Sequence, residues 1–272
     1  MADLSELAPA LHRDARGYWT GGPAPDVSYP DEGTEFCFAL ENESFWFAHR
    51  NRVILEAVRR APPAGALYDV GAGNGFVTAA LLGAGYDAIA IEPDPRGAGN
   101  SVSRGVPTVL GTLQSAEFRE GSAGGIGLFD VIEHVEEDEA FLTSMRAYLP
   151  PRGCLYITTP AYRWLWSDED RTAGHFRRYT LRALAGLLGR AGFDIEYTTY
   201  FFALLPLPVF LVRTLRSRGA SSAATPDPAG HRAGGSWMRR LVLAGLQPEV
   251  LLVRRGWTIP FGASCLAVAR AR

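Results

Sequence analysis

Short apolar runs alternate with amphipathic stretches along most of the chain, between residues 55 and 202. Buried strands are short apolar runs bounded by turn residues, whereas helices repeat apolar residues at every third or fourth position. This pattern predicts strands over residues 66–71, 87–93, 106–111, 125–130, 153–160, 194–202 and 263–271. It predicts helices over residues 76–85, 138–149 and 180–193. Strands that alternate with helices indicate a parallel sheet covered on both faces.

The same pattern divides the chain into four parts. We expect an N-terminal helical cap or lid over residues 1–60, an α/β core over 61–202, an apolar and basic insertion over 203–262, and the final strand of the core over 263–272. In open α/β sheets, ligands bind beyond the C-terminal ends of the strands, beside the first strand. Residues that directly follow a predicted strand are therefore the candidates for binding and chemistry.

The first predicted strand leads into a turn that holds three glycines, Gly71, Gly73 and Gly75. Glycines allow the backbone to turn sharply and to approach a ligand closely. A dinucleotide fingerprint would need another glycine where Phe76 stands, so the spacing does not predict a pyrophosphate cradle. Glu92 ends the second predicted strand, where a carboxylate suits both ribose hydroxyls of a nucleoside. Together, the glycine turn and Glu92 indicate a nucleoside site. The alternatives are that the glycines form only a tight turn and that Glu92 is a surface acid.

Five segments occur in a fixed order: YDVGAGNG, AIEPDP, VLGTLQSAEF, GLFDVIEHVEED and GCLYITTPAY. This series resembles the class I S-adenosylmethionine-dependent methyltransferases over roughly residues 50–200. The C-terminal TIPFGASCLAVAR is similar to the last, antiparallel strand of that family, which lies between strands five and six. The segments FWFxHRN and GHxRRYT indicate a bacterial subgroup. The resemblance implies a Rossmann-like, doubly wound, mostly parallel sheet of seven strands, with an N-terminal helical cap and an insertion before the last strand.

The resemblance also implies a cofactor, S-adenosyl-L-methionine, with S-adenosyl-L-homocysteine as the product. By this resemblance, Gly71 and Gly73 pass under the methionine part of the cofactor. Asp69 orders water or the amino group there, and Glu92 holds the ribose. Two further implied cofactor-binding residues are Gly75 and Pro93.

The third and fourth predicted strands contribute the rest of the implied cofactor site. Thr112 and Leu113, after the third strand, would flank the adenine. Many members of the family have an aspartate at the position of Thr112, so the contact with the adenine amino group is in question. Phe129 and Asp130, at the end of the fourth strand, would line the methionine side.

Two histidines are candidates for the catalytic base. A sulfonium methyl group is already activated, so the protein must align the acceptor and, for an oxygen or nitrogen acceptor, remove a proton. His134 and His175 both lie at the predicted C-terminal edge of the sheet, and histidine titrates in the appropriate range. Structural alternatives are that His134 closes the cofactor pocket and that His175 orients the turn at residues 177–179.

Two aromatic clusters, at residues 45–47 and 162–166, flank the predicted active-site loops. We interpret them as an apolar lid over cofactor and acceptor, with core packing as the alternative. Arg50 and Arg178 can bind an acidic acceptor group as forks, or serve as salt-bridge partners. The residues expected to contact substrate are Phe45, Trp46, His49, Arg50, Trp164, Trp166, Arg178 and Tyr179.

Composition narrows the range of functions. All 27 basic residues are arginine, which excludes lysine nucleophiles and lysine Schiff bases. The net charge of −2 argues against nucleic acid as a partner. Three separated cysteines without a CxxC motif, and no recognisable secretion signal, lead us to expect a cytoplasmic protein. The longest apolar run, residues 201–212, contains two prolines and is too short to span a bilayer.

Two acids and a histidine lie close together in the sequence between residues 168 and 175. Asp168, Asp170 and His175 match no closed zinc pattern in their spacing. We therefore expect no metal there, and we expect these acids to pair with arginines of the same segment, Arg171, Arg177 or Arg178.

The insertion over residues 203–262 is longer than a connection between two strands requires. Residues 206–262 carry eight arginines against two acids, and the rest of the chain carries 19 against 27. Residues 237–256 are expected to be helical with an interruption near Pro248. The insertion is interpreted as a lid, a homodimer interface or a peripheral membrane contact.

These observations lead to a first hypothesis for the function. It is methyl transfer from S-adenosylmethionine to a small-molecule or lipid-like acceptor, at oxygen, with a histidine as general base. One alternative is C-methylation of an apolar isoprenoid or aromatic acceptor. Others are a non-catalytic protein that binds the cofactor as a partner subunit, and a reaction that keeps the cofactor without methyl transfer.

Overall fold

The computed structural model describes residues 4–21, 37–204 and 235–272. Its strands are β1 His12–Arg13, β2 Trp19–Thr20, β3 Leu67–Val70, β4 Ala88–Glu92, β5 Thr108–Leu110, β6 Gly125–Phe129, β7 Cys154–Pro160, β8 Phe193–Phe201 and β9 Ser264–Ala271. Its helices are α1 Leu4–Leu7, α2 Phe45–Arg60, α3 Phe76–Gly83, α4 Pro95–Ser103, α5 Asp138–Ala147, α6 Asp168–Thr172, α7 Leu181–Arg190, α8 Gly235–Gly245 and α9 Gln247–Arg255. Two short 3₁₀ turns, Ile132–His134 and Arg163–Leu165, follow β6 and β7.

The described strands form one sheet in the order β1-β2-β5-β4-β3-β6-β7-β9-β8. The five central strands, from β5 to β7, run parallel. The last strand, β9, lies between β7 and β8 and is antiparallel to both. This arrangement confirms the predicted doubly wound, mostly parallel sheet with an antiparallel last strand. The short strands β1 and β2 extend the predicted seven strands at one edge.

The predicted strand boundaries lie within two residues of the observed ones, but helix α4 was not predicted. Its sequence, PRGAGNSVS, is poor in large apolar residues, so no helical period is visible. The helix is started by Asp94, whose carboxylate accepts hydrogen bonds from the backbone N–H groups of Arg96 and Gly97, at 3.1 and 3.3 Å. Pro95 occupies the first turn, where a missing N–H costs nothing.

The core lies on both faces of the sheet because successive strand residues alternate in direction. Tyr68 and Ile126 belong to one face, which α5 and α7 cover. Leu67 and Tyr156 belong to the other face, which α2, α3 and α9 cover. The strands are therefore buried on both sides, which leaves the C-terminal ends of the parallel strands as the accessible edge for a ligand.

Two helices from the insertion, α8 and α9, pack against the N-terminal helix α2. They are separated at Leu246, close to the interruption expected near Pro248. Residues 205–234 of the insertion lie outside the described residues, so its interpretation as lid, interface or membrane contact stays a prediction. Within the described parts of the chain, none of the helices combines the length and hydropathy that crossing a bilayer requires.

A buried carboxylate fastens helix α9 to the rest of the fold. Glu249 accepts hydrogen bonds from the backbone N–H groups of Phe202 and Ala203, at 2.8 and 2.7 Å. The same carboxylate lies 2.8 Å from Nε2 of His49 on α2. His49 has no exposed side-chain surface. One acid therefore joins α2, α9 and the end of β8.

Replacing Glu249 with alanine is expected to lower the free energy of unfolding by about 3 kcal/mol, because three buried donors lose their acceptor. Urea denaturation of the variant and the wild type measures the difference. Glu249→Gln keeps one acceptor oxygen and should lose less. Arg254→Ala, at an exposed position of the same helix, serves as the control. A loss below about 1 kcal/mol for Glu249→Ala would show that the anchor contributes little.

Candidate active site

The glycine turn after β3 is shaped by positive φ angles, +73° at Gly71, +54° at Gly73 and +70° at Gly75. A Cβ added at Gly71 would lie 2.9 Å from Val131, and one added at Gly75 would lie 2.3 Å from Ser101 Oγ. Both glycines are therefore required by close packing. A Cβ added at Gly73 would meet no atom of the described residues within 4 Å. The turn thus presents one open face, at Gly73, where a ligand can approach the backbone.

Glu92, at the end of β4, faces this turn. One carboxylate oxygen accepts a hydrogen bond from the backbone N–H of Gly73 at 2.5 Å, and the other accepts one from Asp94 at 2.8 Å. The residue is 5% exposed. Burial raises the pKa of Glu92 to about 7, against the lowering effect of these two hydrogen bonds. A carboxylate with two backbone partners keeps further lone pairs that can accept hydrogen bonds from hydroxyl groups.

The raised pKa of Glu92 predicts that the cofactor-free protein loses stability as the pH rises. The folded state retains the proton up to about pH 7, whereas the unfolded state releases it near its ordinary value of 4.5. Relative to Glu92→Gln, the free energy of unfolding of the wild type should fall by roughly 1–3 kcal/mol between these two pH values. Urea denaturation at several pH values measures the slope, and parallel curves for the two proteins would contradict the expectation.

Asp69, in β3, is buried behind the turn. It accepts a hydrogen bond from Thr78 Oγ1 at 2.6 Å, which joins the strand to helix α3. Burial raises the pKa of Asp69 to about 6, and the bond from Thr78 opposes the rise. With 1% of its surface exposed, Asp69 supports the turn from within. Its predicted contact with water or the cofactor amino group stays a prediction.

Asp130, which follows β6, lies in the left-handed region with a φ of +60°. Aspartate is one of the few residues that tolerate this conformation. Its carboxylate accepts hydrogen bonds from Nη1 of Arg50 and from Thr158 Oγ1. The Arg50 guanidinium also lies 5.2 Å from the ring of Trp46 and 5.4 Å from the ring of Phe47. Of the two alternatives given for Arg50, the structure shows the salt bridge, with Asp130 as the partner.

The predicted adenine and methionine contacts are only partly at the surface of the site. Leu113 is fully buried in the core, so its side chain does not flank a ligand. Thr112 exchanges hydrogen bonds with Ser115, at 2.9 to 3.3 Å. The ring of Phe129 is 5% exposed and packs on Gly127, where an added Cβ would lie 2.3 Å from it. Leu113 and Phe129 belong to the core, because apolar groups beside a buried sheet pack inward, whereas Thr112 is partly exposed. Pro93 is partly exposed.

His175 is held by a buried carboxylate. Its Nδ1 lies 2.8 Å from Oδ1 of Asp170, which is 1% exposed. Asp170 also receives the guanidinium of Arg178, with Nε at 2.7 Å and Nη2 at 3.0 Å. Burial alone would raise the pKa of Asp170, but the hydrogen bonds from His175 and Arg178 hold it well below its ordinary value. The carboxylate therefore fixes the orientation of the His175 ring. Nδ1 is the nitrogen that it engages, and Nε2 is the nitrogen that it does not contact.

His134 lies edge-on to His175, with ring centroids 4.6 Å apart. The structure thus brings together the two histidines that were predicted separately. The pKa of His134 is lowered to about 4, mainly by burial and to a smaller extent by the neighbouring His175. His134 is accordingly neutral near pH 7. A pair of adjacent imidazoles, one of them fixed by a carboxylate, is suited to accepting a proton or to ligating a cation.

Glu133 completes this cluster and was missed as a functional residue by the sequence analysis. It has no exposed surface, and Oε2 accepts a hydrogen bond from Thr159 Oγ1 at 3.1 Å. Oε1 has no hydrogen-bond partner among the described residues. Burial and the nearby charge of Asp130 raise the pKa of Glu133 well above its ordinary value. The signal that could have found it is a carboxyl group next to a histidine directly after a strand.

Three residues predicted to contact substrate have internal partners instead. The guanidinium of Arg178 donates hydrogen bonds to Asp170 and to the carbonyl oxygen of Ala161, in agreement with the salt-bridge alternative. The Tyr179 hydroxyl donates to Asp138 at 2.7 Å, and the residue is 5% exposed. His49 is buried against Glu249, as described above. The pairing of Arg178 with Asp170 confirms the expected ion pair, whereas contact of these three residues with a substrate stays a prediction.

The aromatic clusters are partly core and partly surface. Trp46 stacks on Phe202 at 5.4 Å, with an interplanar angle of 9°. Trp164 is 48% exposed and stacks on Tyr162 at 5.5 Å. Phe261, from the insertion, lies 5.4 Å from Tyr162 and 6.2 Å from Trp164. The remaining predicted aromatic contacts, Phe45 and Trp166, are partly buried.

The fold and the strand-end residues define a class I methyltransferase. A family model described as a methyltransferase domain matches residues 45–198, and the chain belongs to this family. This membership confirms the predicted class, the prediction of an enzyme and S-adenosylmethionine as its cofactor. It also argues against a non-catalytic partner protein. No curated protein sequence matches the chain.

Solved structures share the fold at low sequence identity. A methyltransferase from Thermotoga maritima is 17% identical, with a TM-score of 0.56 over 89% of this chain and 95% of that chain. Phosphoethanolamine N-methyltransferase 2 of Haemonchus contortus, in complex with S-adenosyl-L-methionine, is 15% identical, with a TM-score of 0.56 over 90% and 58%. The [4+2]-cyclase SpnF is 18% identical, with a TM-score of 0.52 over 80% and 79%.

Proposed function

We propose that the protein transfers a methyl group from S-adenosyl-L-methionine to an oxygen atom of a small-molecule or lipid-like acceptor, with His175 as the base. The observation that carries the proposal is the Asp170–His175 pair, which lies beside His134 in the segments that follow the parallel strands. Oxygen acceptors require removal of a proton, and a carboxylate-oriented imidazole is a common general base.

The cofactor site is proposed to lie over the open face of the glycine turn. Gly73 has room for a ligand against its backbone, and Glu92 stands beside it with two of its lone pairs already used by backbone N–H groups. The remaining lone pairs suit the two ribose hydroxyls. When bound, the cofactor supplies a methyl group on a positively charged sulfur.

The residues of the chain have separate tasks in the proposed reaction. Asp170 holds Nδ1 of His175, so that Nε2 is the nitrogen that takes the proton of the acceptor hydroxyl. Asp170 carries negative charge at neutral pH and stabilises the imidazolium that forms. Arg178 holds Asp170 in turn from two guanidinium nitrogens. The aromatic surface of Trp164, Tyr162 and Phe261 is proposed to contact an apolar part of the acceptor and to exclude water.

The described part of the insertion supports contact with an apolar acceptor or partner. Leu241, Leu251 and Trp257 are 61%, 48% and 62% exposed. They occur on the same two-helix segment as the exposed Arg254 and Arg255. Exposed apolar groups beside arginines suit each of the three interpretations of the insertion, a lid that forms an apolar substrate pocket, a dimer interface or a membrane contact.

Two measurements test the proposed function. Calorimetry with S-adenosylmethionine should show one binding site per chain, and absence of binding would overturn the proposal. Methyl-labelled cofactor, incubated with fractionated extracts of the source organism, should label an organic-soluble product. The ¹³C chemical shift of the transferred methyl group separates O-methylation from the alternative, C-methylation of an apolar acceptor.

A further inference from the structure

Three potential metal ligands converge beyond the ends of β6 and β7. Glu133, His134 and His175 each offer one ligand atom, and these atoms all lie within 4.8 Å of one another. Glu133 and His134 are adjacent in the 3₁₀ turn after β6, whereas His175 follows helix α6. A cation that bound to all three would draw them closer, because metal–nitrogen and metal–oxygen bonds are about 2.0–2.2 Å long.

The buried carboxylate of Glu133 is the strongest sign that the cluster takes a ligand. The residue is fully buried, yet Oε1 has no hydrogen-bond partner among the described residues. Buried polar atoms in folded proteins nearly always have a partner, since leaving one unpaired costs about 1–3 kcal/mol. The other oxygen, Oε2, is held by Thr159 Oγ1 at 3.1 Å. A carboxylate fixed on one side and open on the other is suited to ligating a cation.

Each histidine is also held from outside the cluster. Nδ1 of His175 is bonded to Asp170, at 2.8 Å. His134 is hydrogen-bonded to the backbone of Ala173. Metal-ligating histidines characteristically bind a carboxylate or a carbonyl through the ring nitrogen that does not touch the metal, which fixes the tautomer. Both histidines therefore have the outer partners that a metal site needs.

We propose that Glu133, His134 and His175 bind a divalent transition-metal ion. Two imidazoles and one carboxylate suit zinc, manganese, iron(II) or cobalt(II) better than magnesium or calcium, which prefer oxygen ligands. Three protein ligands leave at least one coordination position for water or substrate, as in catalytic rather than structural sites.

The sequence predicted no metal in this region. It predicted that Asp168 and Asp170 pair with nearby arginines, and Asp168 does pair with Arg171 and Asp170 with Arg178. The fold instead brings Glu133 and His134 to His175 from about forty positions away. Their separation matches none of the short ligand patterns that a sequence displays.

This inference goes beyond the proposed function and changes one step of it. A bound cation would take the acceptor oxygen as a further ligand and lower the pKa of its hydroxyl. The hydroxyl proton would then leave to solvent water, and His175 would act as a ligand instead of accepting the proton. Both routes deprotonate the acceptor at this cluster; they differ in whether an imidazole nitrogen or a cation faces the oxygen.

Cobalt(II) is the probe for the test, because its visible absorption reports the ligand geometry. The metal-stripped full-length protein, titrated with cobalt(II), should bind one ion per chain. Zinc should displace it. Glu133→Gln and His134→Gln should each weaken binding roughly tenfold or more. His12→Gln, at an exposed position of β1, is the matched control and should bind like the wild type.

Two outcomes would overturn the proposal. One is that the wild type, shown to be folded by circular dichroism, binds less than one cobalt ion per chain. The other is wild-type cobalt affinity in folded Glu133→Gln. Calorimetry with S-adenosylmethionine on the same metal-stripped protein keeps the two proposals separate. Cofactor binding without metal binding would leave the proposed function intact, and metal binding without cofactor binding would leave only the metal site.

Discussion

Replacing His175 with alanine is expected to lower the turnover of methyl transfer by roughly 10²-fold or more, while the affinity for S-adenosylmethionine stays unchanged. The ring is fixed by Asp170 and lies edge-on to His134, but it makes no bond to the glycine turn or to Glu92. The variant therefore removes the group that is proposed to face the acceptor and leaves the proposed cofactor contacts in place. The rate at which label passes from the methyl-labelled cofactor into the extract product, and calorimetry with the cofactor, measure the two effects.

The His175→Ala variant also separates a base from a metal ligand. If the imidazole accepts the proton, added imidazole or a higher pH should restore part of the turnover. If it ligates a cation, a higher concentration of the metal should do so. His12→Ala, at an exposed position, controls for loss of a histidine as such. Unaltered turnover in His175→Ala would reduce this residue to a structural role.

Replacing Glu92 with alanine is expected to weaken S-adenosylmethionine binding by roughly 10²-fold. Each hydrogen bond to a charged group contributes about 1.5–3 kcal/mol, and the ribose offers two hydroxyls. The variant also releases the backbone N–H of Gly73, which Glu92 holds at 2.5 Å in the turn. Calorimetry measures the dissociation constant directly. The turnover at saturating cofactor should change much less than the affinity.

Two further variants delimit the interpretation of Glu92→Ala. Glu92→Gln keeps one carbonyl acceptor and should lose only part of the affinity. Glu120→Ala removes an exposed acid of the same charge and should bind the cofactor like the wild type. Equal affinity in Glu92→Ala and the wild type would place the ribose elsewhere, and with it the proposed cofactor site.

The sheet and the glycine turn were predictable because their signals are local. A buried parallel strand is a short apolar run, and a sharp turn that approaches a ligand requires glycine. Helix α4 escaped prediction because PRGAGNSVS has little apolar periodicity; it depends on the Asp94 cap and on burial of Ala98 against Tyr18 and Leu110. Tertiary packing there supplied what propensity did not.

The site was predictable in its position along the strands but not in its pairings. His134 and His175 were both predicted at the C-terminal edge of the sheet, and the centroids of their rings lie 4.6 Å apart. The sequence did predict that Asp170 pairs with an arginine of its own segment, and Arg178 is that partner, but it could not show that His49 would face Glu249. A polar side chain can rotate toward ligand or protein, and only its burial and neighbours decide which.

The sequence by itself determined the seven main strands, the glycine turn and the acid at the end of β4, since each depends on residues close in the chain. Tertiary structure alone decided which distant groups meet. Glu249 reaches His49 across 200 positions, and Glu133 reaches His175 across about forty. Such contacts depend on how helices pack on a sheet and on the direction of each side chain, and neither is encoded in spacing. The proposed metal site belongs to this second kind of information.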